Sequence, residues 1–336
     1  MKRFLAMAIV SLFSLTAIAE SQIKPAITAP LADKSLLLDI AVTSSGKLVV
    51  VGEHGNILHS SNGQTWEQAN VPVQSTLTAV TFVNPSLGWA VGHDATILAT
   101  TDGGYSWKVQ QHMPELEKPL LDIVFKNDKQ GIAVGAYGLF FVTNDGGNTW
   151  TDVFQEELLY IEDLEYLNEL KLEDEEAYLD ERSSILPHFN RIYLDGRTMY
   201  LAGEIGLLAK SNDFGDTWQR LDEIYEGSFF DIARTHKGNL LAVGLRGNMF
   251  HSDKNGSHWE QIDVDTTALL NAVVLAGEER LFVLGNNGVI LESFDDGRSF
   301  RARNQDDGKA LIAGVWYNNQ LIVVAENGVK VIEEIK

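Results

Sequence analysis

The sequence predicts an all-β fold, a seven-bladed β-propeller of four-stranded blades, and three observations carry the prediction. An eight-letter word returns along the chain, as "TTDGGYSW" at 100–107, "TNDGGNTW" at 143–150, "SNDFGDTW" at 211–218 and "SFDDGRSF" at 293–300. Aligned on the closing aromatic, Trp66, Trp107, Trp150, Trp218, Trp259 and Phe300 follow one another at steps of 41, 43, 68, 41 and 41 residues. A second ladder runs upstream of each word, with "VVVGEHGNIL" at Gly52, "WAVGHDATIL" at Gly92, "IAVGAYGLFF" at Gly135, "YLAGEIGLLA" at Gly203, "LAVGLRGNMF" at Gly244, "FVLGNNGVIL" at Gly285 and "IVVAENGVKV" at Ala325. Each unit also opens on a short apolar run, from "LLLDIAV" in the first to "LIAGVWY" in the seventh. Four short runs of Val, Ile, Leu, Phe and Tyr per unit, separated by Gly, Asn and Asp, read as strands A to D joined by tight turns. A repeat of about 41 residues with four strands and no helical period is a propeller blade.

The elements follow in chain order. Residues 1–19 carry Lys2 and Arg3 before the apolar run "FLAMAIVSLFSLTAIA" and end in a small-residue pattern, which reads as a signal peptide cleaved before Glu20. Residues 20–336 are expected to form one propeller. The seventh unit reaches only strand C, and an unpaired edge invites aggregation. The segment "SQIKPAITAP", residues 21–30, is expected to supply the missing outer strand and close the ring. The 68-residue step holds an acidic helical insertion between blades three and four, about residues 154–184. It has 13 acidic residues over 152–181, and Phe154, Leu158, Ile161, Leu164 and Leu172 recur at helical spacing. Rising from a D-to-A connection, it belongs on the face where the B-to-C turns open. Its acidic side chains Glu156, Glu157, Glu162, Asp163, Glu165, Glu173, Asp174, Glu175 and Glu176 are a candidate docking element for a protein partner.

In the repeated word a short Asp accepts N–H bonds within the turn, Gly permits positive φ, and the Trp packs beneath neighbouring strands. Asp102, Asp145, Asp213 and Asp295 therefore read as fold residues. Ser61 and Lys254 stand at the Asp position in two copies, which marks those copies as decayed.

The mouth of the central channel is the expected binding face. The B-to-C turns place Glu53, His54, His93, Asp94, Tyr137, Glu204, Arg246, Asn286, Asn287, Glu326 and Asn327 there, and the starts of the innermost strands add Asp39, Asp122, Asn190 and Asp231. Converging carboxylates are the ligand chemistry of a hard cation such as Ca²⁺, and His54 and His93 come from neighbouring blades, but they also suit a water-filled pore. No metal is assigned, and no cofactor is expected. The formal net charge of −21 disfavours nucleic acid and anionic membrane surfaces. The chain has no cysteine, which excludes disulfides, thiolate metal sites and a Cys-borne lipid anchor. A soluble periplasmic protein, monomeric and non-catalytic, is the expectation.

The turn word resembles the Asp-box, or BNR, repeat of sialidases and other propellers, which implies a structural hairpin. Sialidase chemistry needs an arginine triad and an Arg-Ile-Pro element in the first blade, where this chain has "LLLDIAV". The full unit at 120–150, with "LLDIVF", "IAVGAYGLFF" and "TNDGGNTW", resembles the photosystem II stability/assembly factor-like propellers, as a non-photosynthetic bacterial member. The resemblance runs over roughly 35–336. It implies a non-catalytic scaffold for a membrane complex or an exporter component. The alternative is a carbohydrate-active protein, lectin or glycosidase, using the same face.

Overall fold

The structure, a computed structural model, describes residues 23–332; the signal peptide expected at 1–19 lies outside them. Seven antiparallel sheets follow one another, each ordered A-B-C-D from the centre outward. In blade one these are Leu37–Val42, Leu48–Gly52, Ile57–Ser60 and Glu67–Gln68. The other A strands are Leu77–Phe82, Leu120–Phe125, Phe189–Asp195, Phe229–Arg234, Leu270–Leu275 and Leu311–Tyr317. Blade seven has three strands among the described residues, Leu311–Tyr317, Gln320–Ala325 and Gly328–Ile332.

Strand B is buried along its whole length in blades one, two, three, five and six, and in blade four from Met199 onward, as continuous apolar sequence dictates for a strand covered on both faces. It ends at a glycine for a steric reason. A Cβ at Gly52 or Gly92 would lie 2.2 or 2.1 Å from the carbonyl oxygen of the residue before strand A, so the backbones approach too closely for any side chain. The core divides into seven apolar clusters, one per blade interface. Each closing aromatic tucks into the interface with the preceding blade, as Trp107 does with Val49 and Val51 of blade one. The cluster between blades three and four is the largest, because Leu158, Leu159, Leu167 and Leu186 of the insertion join it.

The N-terminal segment departs from expectation. Ala26 N–H donates to Val71 O at 3.0 Å, Ala29 N–H donates to Gln68 Oε1, and Gln68 Nε2 donates to Ile27 O. Over the described residues 23–30, the segment lies along blade one rather than adding a strand to blade seven; residues 21 and 22 fall outside them. Pro25 and Pro30 lack the N–H groups that a ladder needs. The ring closes instead by packing of Ile322 and Val324 against Leu37, Ile40 and Leu48, and by Tyr317 Oη donating to Gly46 O or Ser61 O.

The aspartate turns form as the sequence requires. Asp102 Oδ1 accepts from Tyr105 N and Ser106 N, both at 3.0 Å, and from Thr100 Oγ1. Asp145, Asp213 and Asp295 repeat this with Thr149, Thr217 and Ser299. Partial burial pushes the Asp102 carboxyl up, but the Ser106, Thr100 and Tyr105 bonds outweigh it and hold it at about 2. The two copies read as decayed are intact. Blade one, one residue shorter, uses Asn62, whose Oδ1 accepts from Gln64 N and Thr65 N; blade five uses Asp253, one residue before Lys254, which accepts from Ser257 N. Alignment on the tryptophan displaced both acceptors by one position. The indole N–H groups of Trp107 and Trp259 reach carbonyls within their own turns, whereas the buried Trp218 Nε1 finds no acceptor.

Candidate functional site

A β-bulge interrupts the start of every A strand, between Leu37 and Asp39 in blade one and at the equivalent place in the other six. The extra residue lets the second and third side chains both bear on the channel. They link the blades in turn. Asp39 Oδ2 accepts from Val80 N of blade two (2.9 Å), Asp122 Oδ2 from Ile192 N of blade four (2.8 Å), and Asp231 Oδ2 from Val273 N of blade six (2.8 Å). From blades two, four and six, Thr78 Oγ1, Asn190 Nδ2 and Asn271 Nδ2 donate to Leu120 O, Phe229 O and Leu311 O. Blade seven has Ile312 and Ala313 at these positions, so its side chains give no such link to blade one.

The channel encloses about 450 Å³ near its mouth, lined from all seven blades. Its charge centre is Arg191, at the third position of strand A in blade four. The guanidinium Nε lies 3.5 Å from Asp122 and 3.2 Å from Asp231. Burial pushes the carboxyls of Asp122 and Asp231 up, while Arg191 draws them down. Burial likewise raises Asp39, to about 7. Asp122 holds the Arg191 guanidinium charged. The sequence reading missed Arg191, although aligning the third position of strand A finds it directly. No three His, Asp or Glu side chains among the described residues are grouped to hold a metal ion; the aspartates converge on Arg191, and His54 pairs with Glu53 at 3.8 Å.

The B-to-C turns divide by position. Four of their first residues are clamps: Glu53 accepts from Leu36 N and Glu204 from His188 N, Asn286 accepts from Asn271, and Glu326 pairs with Lys309. Asp94 accepts from Ser75 Oγ, and Asn327 donates to Asp307. His93 is exposed at the start of its turn. The second residues His54, Tyr137, Arg246 and Asn287 stand exposed on left-handed backbone, at φ 57, 53, 59 and 57°. Ile205, absent from the sequence-derived set, adopts φ 52° and is 57% exposed. A β-branched residue in that region is strained.

The insertion stands beside Tyr137 and Ile205. A short 3₁₀ turn at Glu156–Leu158 leads to helices α1 (Ile161–Glu173) and α2 (Glu175–Arg182). Two of the acidic residues serve the fold: Glu157 Oε2 accepts from Trp218 N at 2.6 Å, and Asp174 caps α2 by accepting from Ala177 N. Glu156, Glu162, Glu165, Glu173, Glu175 and Glu176 face solvent, and Asp163 is half-buried. The helical face is not the one expected. Leu167 is buried, Leu164 half-buried, and Ile161 and Leu172 are 67% and 88% exposed. Eleven residues apart, those two share one side of α1. Tyr160 Oη approaches Ile205 O and Glu223, the Arg220 guanidinium lies 4.2 Å from its ring, and Tyr137 stands edge-on to His188 at 4.5 Å.

Residues 58–117 and 109–192 match the family described as "Photosynthesis system II assembly factor YCF48". Over that stretch the chain resembles the photosystem II assembly factor-like propellers. The matched residues run from strand C of blade one through the insertion into strand A of blade four. "Photosystem II assembly protein Ycf48" of Thermosynechococcus vestitus is 28% identical over 69% of this chain and 60% of its own length. "Photosystem II assembly lipoprotein Ycf48" of Picosynechococcus sp. is 29% identical over 34% of each chain. The matches thus span less than two thirds of these curated relatives. The fold also superposes on "YCF48 bound to D1 peptide" (TM-score 0.69, 17% identity, 93% of this chain and 100% of that one). It superposes on "YCF48 from Cyanidioschyzon merolae" (TM-score 0.67, 17% identity, 89% and 96%) and on the WD40 propeller of Doa1 (TM-score 0.65, 12% identity, 94% and 97%). At these identities the superpositions speak to fold alone.

Proposed function

We propose that this propeller is an exported, non-catalytic assembly factor, placed in the periplasm by its N-terminal signal, and that it binds a segment of a membrane-complex protein. The docking surface is the face bearing the insertion and the B-to-C turns of blades three and four. The observation that carries the reading is the exposed, strained Ile205, whose carbonyl lies against Tyr160 Oη at the start of α1, the helix that exposes Ile161 and Leu172. A glycine would occupy that backbone without strain, so an exposed isoleucine there is consistent with contact to a partner. The acidic side chains around this apolar strip favour a basic partner segment. A relative solved as "YCF48 bound to D1 peptide" supports a peptide-like ligand. The non-catalytic reading is supported by the channel aspartates, which are committed to backbone N–H groups and to Arg191.

Deleting residues 156–182 would remove Leu158, Leu159 and Leu167 from the core, so the test uses surface changes. The tagged chain is used to capture proteins from detergent-solubilised membranes of the organism that makes it. Capture of a defined membrane complex should be lost on reversing Glu162, Glu165, Glu173 and Glu176 to Lys. It should weaken with Ile205→Gly, a variant that unfolds at a higher temperature than the parent. Equal capture by all three proteins removes this face from the docking role.

A further inference from the structure

The outer edge of strand Gly328–Ile332 pairs with Gln320–Ala325 on one side and with no strand on the other, among the described residues. The complete blades show what occupies that place. In blade six, Val289–Ser293 pairs outward with Arg301–Asn304, matching Val289 with Asn304, Ile290 with Arg303 and Leu291 with Ala302. Those three strand C residues are at most 3% exposed, whereas Val329 and Lys330, which the pairing with strand B makes the counterparts of Ile290 and Leu291, are only half-buried.

A second observation specifies the occupant. In blades two and three the aromatic that precedes strand D stands edge-on to the sixth residue of strand A, Trp107 to Phe82 at 6.1 Å and Trp150 to Phe125 at 5.9 Å. Blade seven carries Trp316 at this position. It stacks on Phe282 of blade six at 5.8 Å, as Phe125 stacks on Trp89 of blade two. Trp316 is half-buried where Phe125 is buried, and among the described residues no outer-strand aromatic meets it. The edge is also unguarded. Natural edges are often blunted by proline or an outward lysine, but this strand has no proline, and Lys330 folds its ammonium back onto Asp307 at 2.7 Å.

We propose that blade seven is a strand-acceptor site, in which an extended segment of a partner polypeptide adds as the fourth strand, antiparallel to Gly328–Ile332, with an aromatic side chain laid against Trp316. Main-chain hydrogen bonds supply affinity in such strand addition, and the aromatic supplies selectivity. The recognised pattern is an aromatic followed by about four extended residues, the pattern of strand D itself. Over residues 23–30 the chain's own N-terminal segment is held on blade one through Ala26 and Ala29, so none of the described residues fills this edge. The site is distinct from the insertion face and stands without it.

A fluorescein-labelled peptide with the sequence of residues 143–154, "TNDGGNTWTDVF", is the probe, titrated against the full chain by anisotropy. Saturable binding is expected, with hydrogen exchange of residues 329–332 slowed by the peptide. Trp150→Ala in the peptide, which leaves the protein's fold untouched, and Trp316→Ala in the protein should each weaken binding by roughly tenfold. The protein with Glu162, Glu165, Glu173 and Glu176 reversed to Lys should bind the peptide as the parent does, which separates this site from the docking face. Binding indifferent to both tryptophan changes overturns the proposal. So does slow exchange of residues 329–332 in the chain alone, which would mean that its own residues already cover the edge. Protection that appears only as the protein dimerises also overturns it, by assigning the edge to a second copy.

Discussion

Asp39 is a carboxylate placed where a carboxylate is costly. One oxygen is satisfied by Val80 N, but the channel wall shields the group from much of its water, and Arg191 is drawn mainly to Asp122 and Asp231. Its pKa rises from the ordinary 3.8 to about 7, because burial disfavours the charged form more than Arg191 and the Val80 bond favour it. The sign follows from proton uptake: between these values the folded chain holds a proton that the unfolded chain releases. Stability from this group is therefore fully present below about pH 4 and is lost as pH rises through 7. Urea unfolding at pH 4.5, 6 and 8 should show that decline, and Asp39→Asn should flatten it, by roughly 2 kcal/mol between the extremes once screening in the open channel is allowed for. An unchanged slope in the variant would mean that Asp39 is charged throughout. The aspartate turns act in the opposite sense. Asp102 and Asp295, held at about 2, contribute stability above pH 4 that is lost as pH falls toward 2.

At the scale of the element, the insertion behaves as part of the core with an exposed surface on top. Leu167 lies in the same apolar cluster as Ile132, Phe140 and Phe189, so Leu167→Ala should cost about 3 kcal/mol and lower the melting temperature, whereas Leu172→Ala should change it little. Calorimetry of both variants checks this; equal losses would place Leu172 in a buried contact. Reading these elements from sequence succeeded where a period repeats and failed where a single contact decides. The blades were legible because "VG", the turn word and the apolar run recur at a fixed interval. The insertion's helices were legible, but its inward face was not, since Ile161 and Leu172 fit a helical stripe as well as Leu167 does, and only the position of blades three and four selects between them. Asn62 was missed because blade one's turn is one residue shorter, and Asp253 because the acceptor sits one place earlier in a turn of ordinary length. Ile205 and Arg191 carried no motif; the first is exposed by its backbone, the second by what surrounds it. The N-terminal segment was apolar enough to be a strand, and its two prolines argued otherwise.

For the whole molecule, the ring depends on six side-chain links between the starts of successive A strands, and at the seventh interface on apolar packing and the Tyr317 hydroxyl at the far end of its strand. Subglobal opening should begin where the links are fewest. Native-state hydrogen exchange should therefore report a lower opening free energy for Leu311–Tyr317 and Leu37–Val42 than for Leu120–Phe125 and Phe189–Asp195. Uniform values around the ring would show that the polar links add nothing to cooperativity. The pattern of those links has a consequence of parity. An acceptor on one blade and a donor on the next can alternate without fault only around an even count, and seven is odd. One joint must break the rhythm, and here it coincides with the place where the first blade meets the last, so a single mismatch serves as the molecule's built-in clasp.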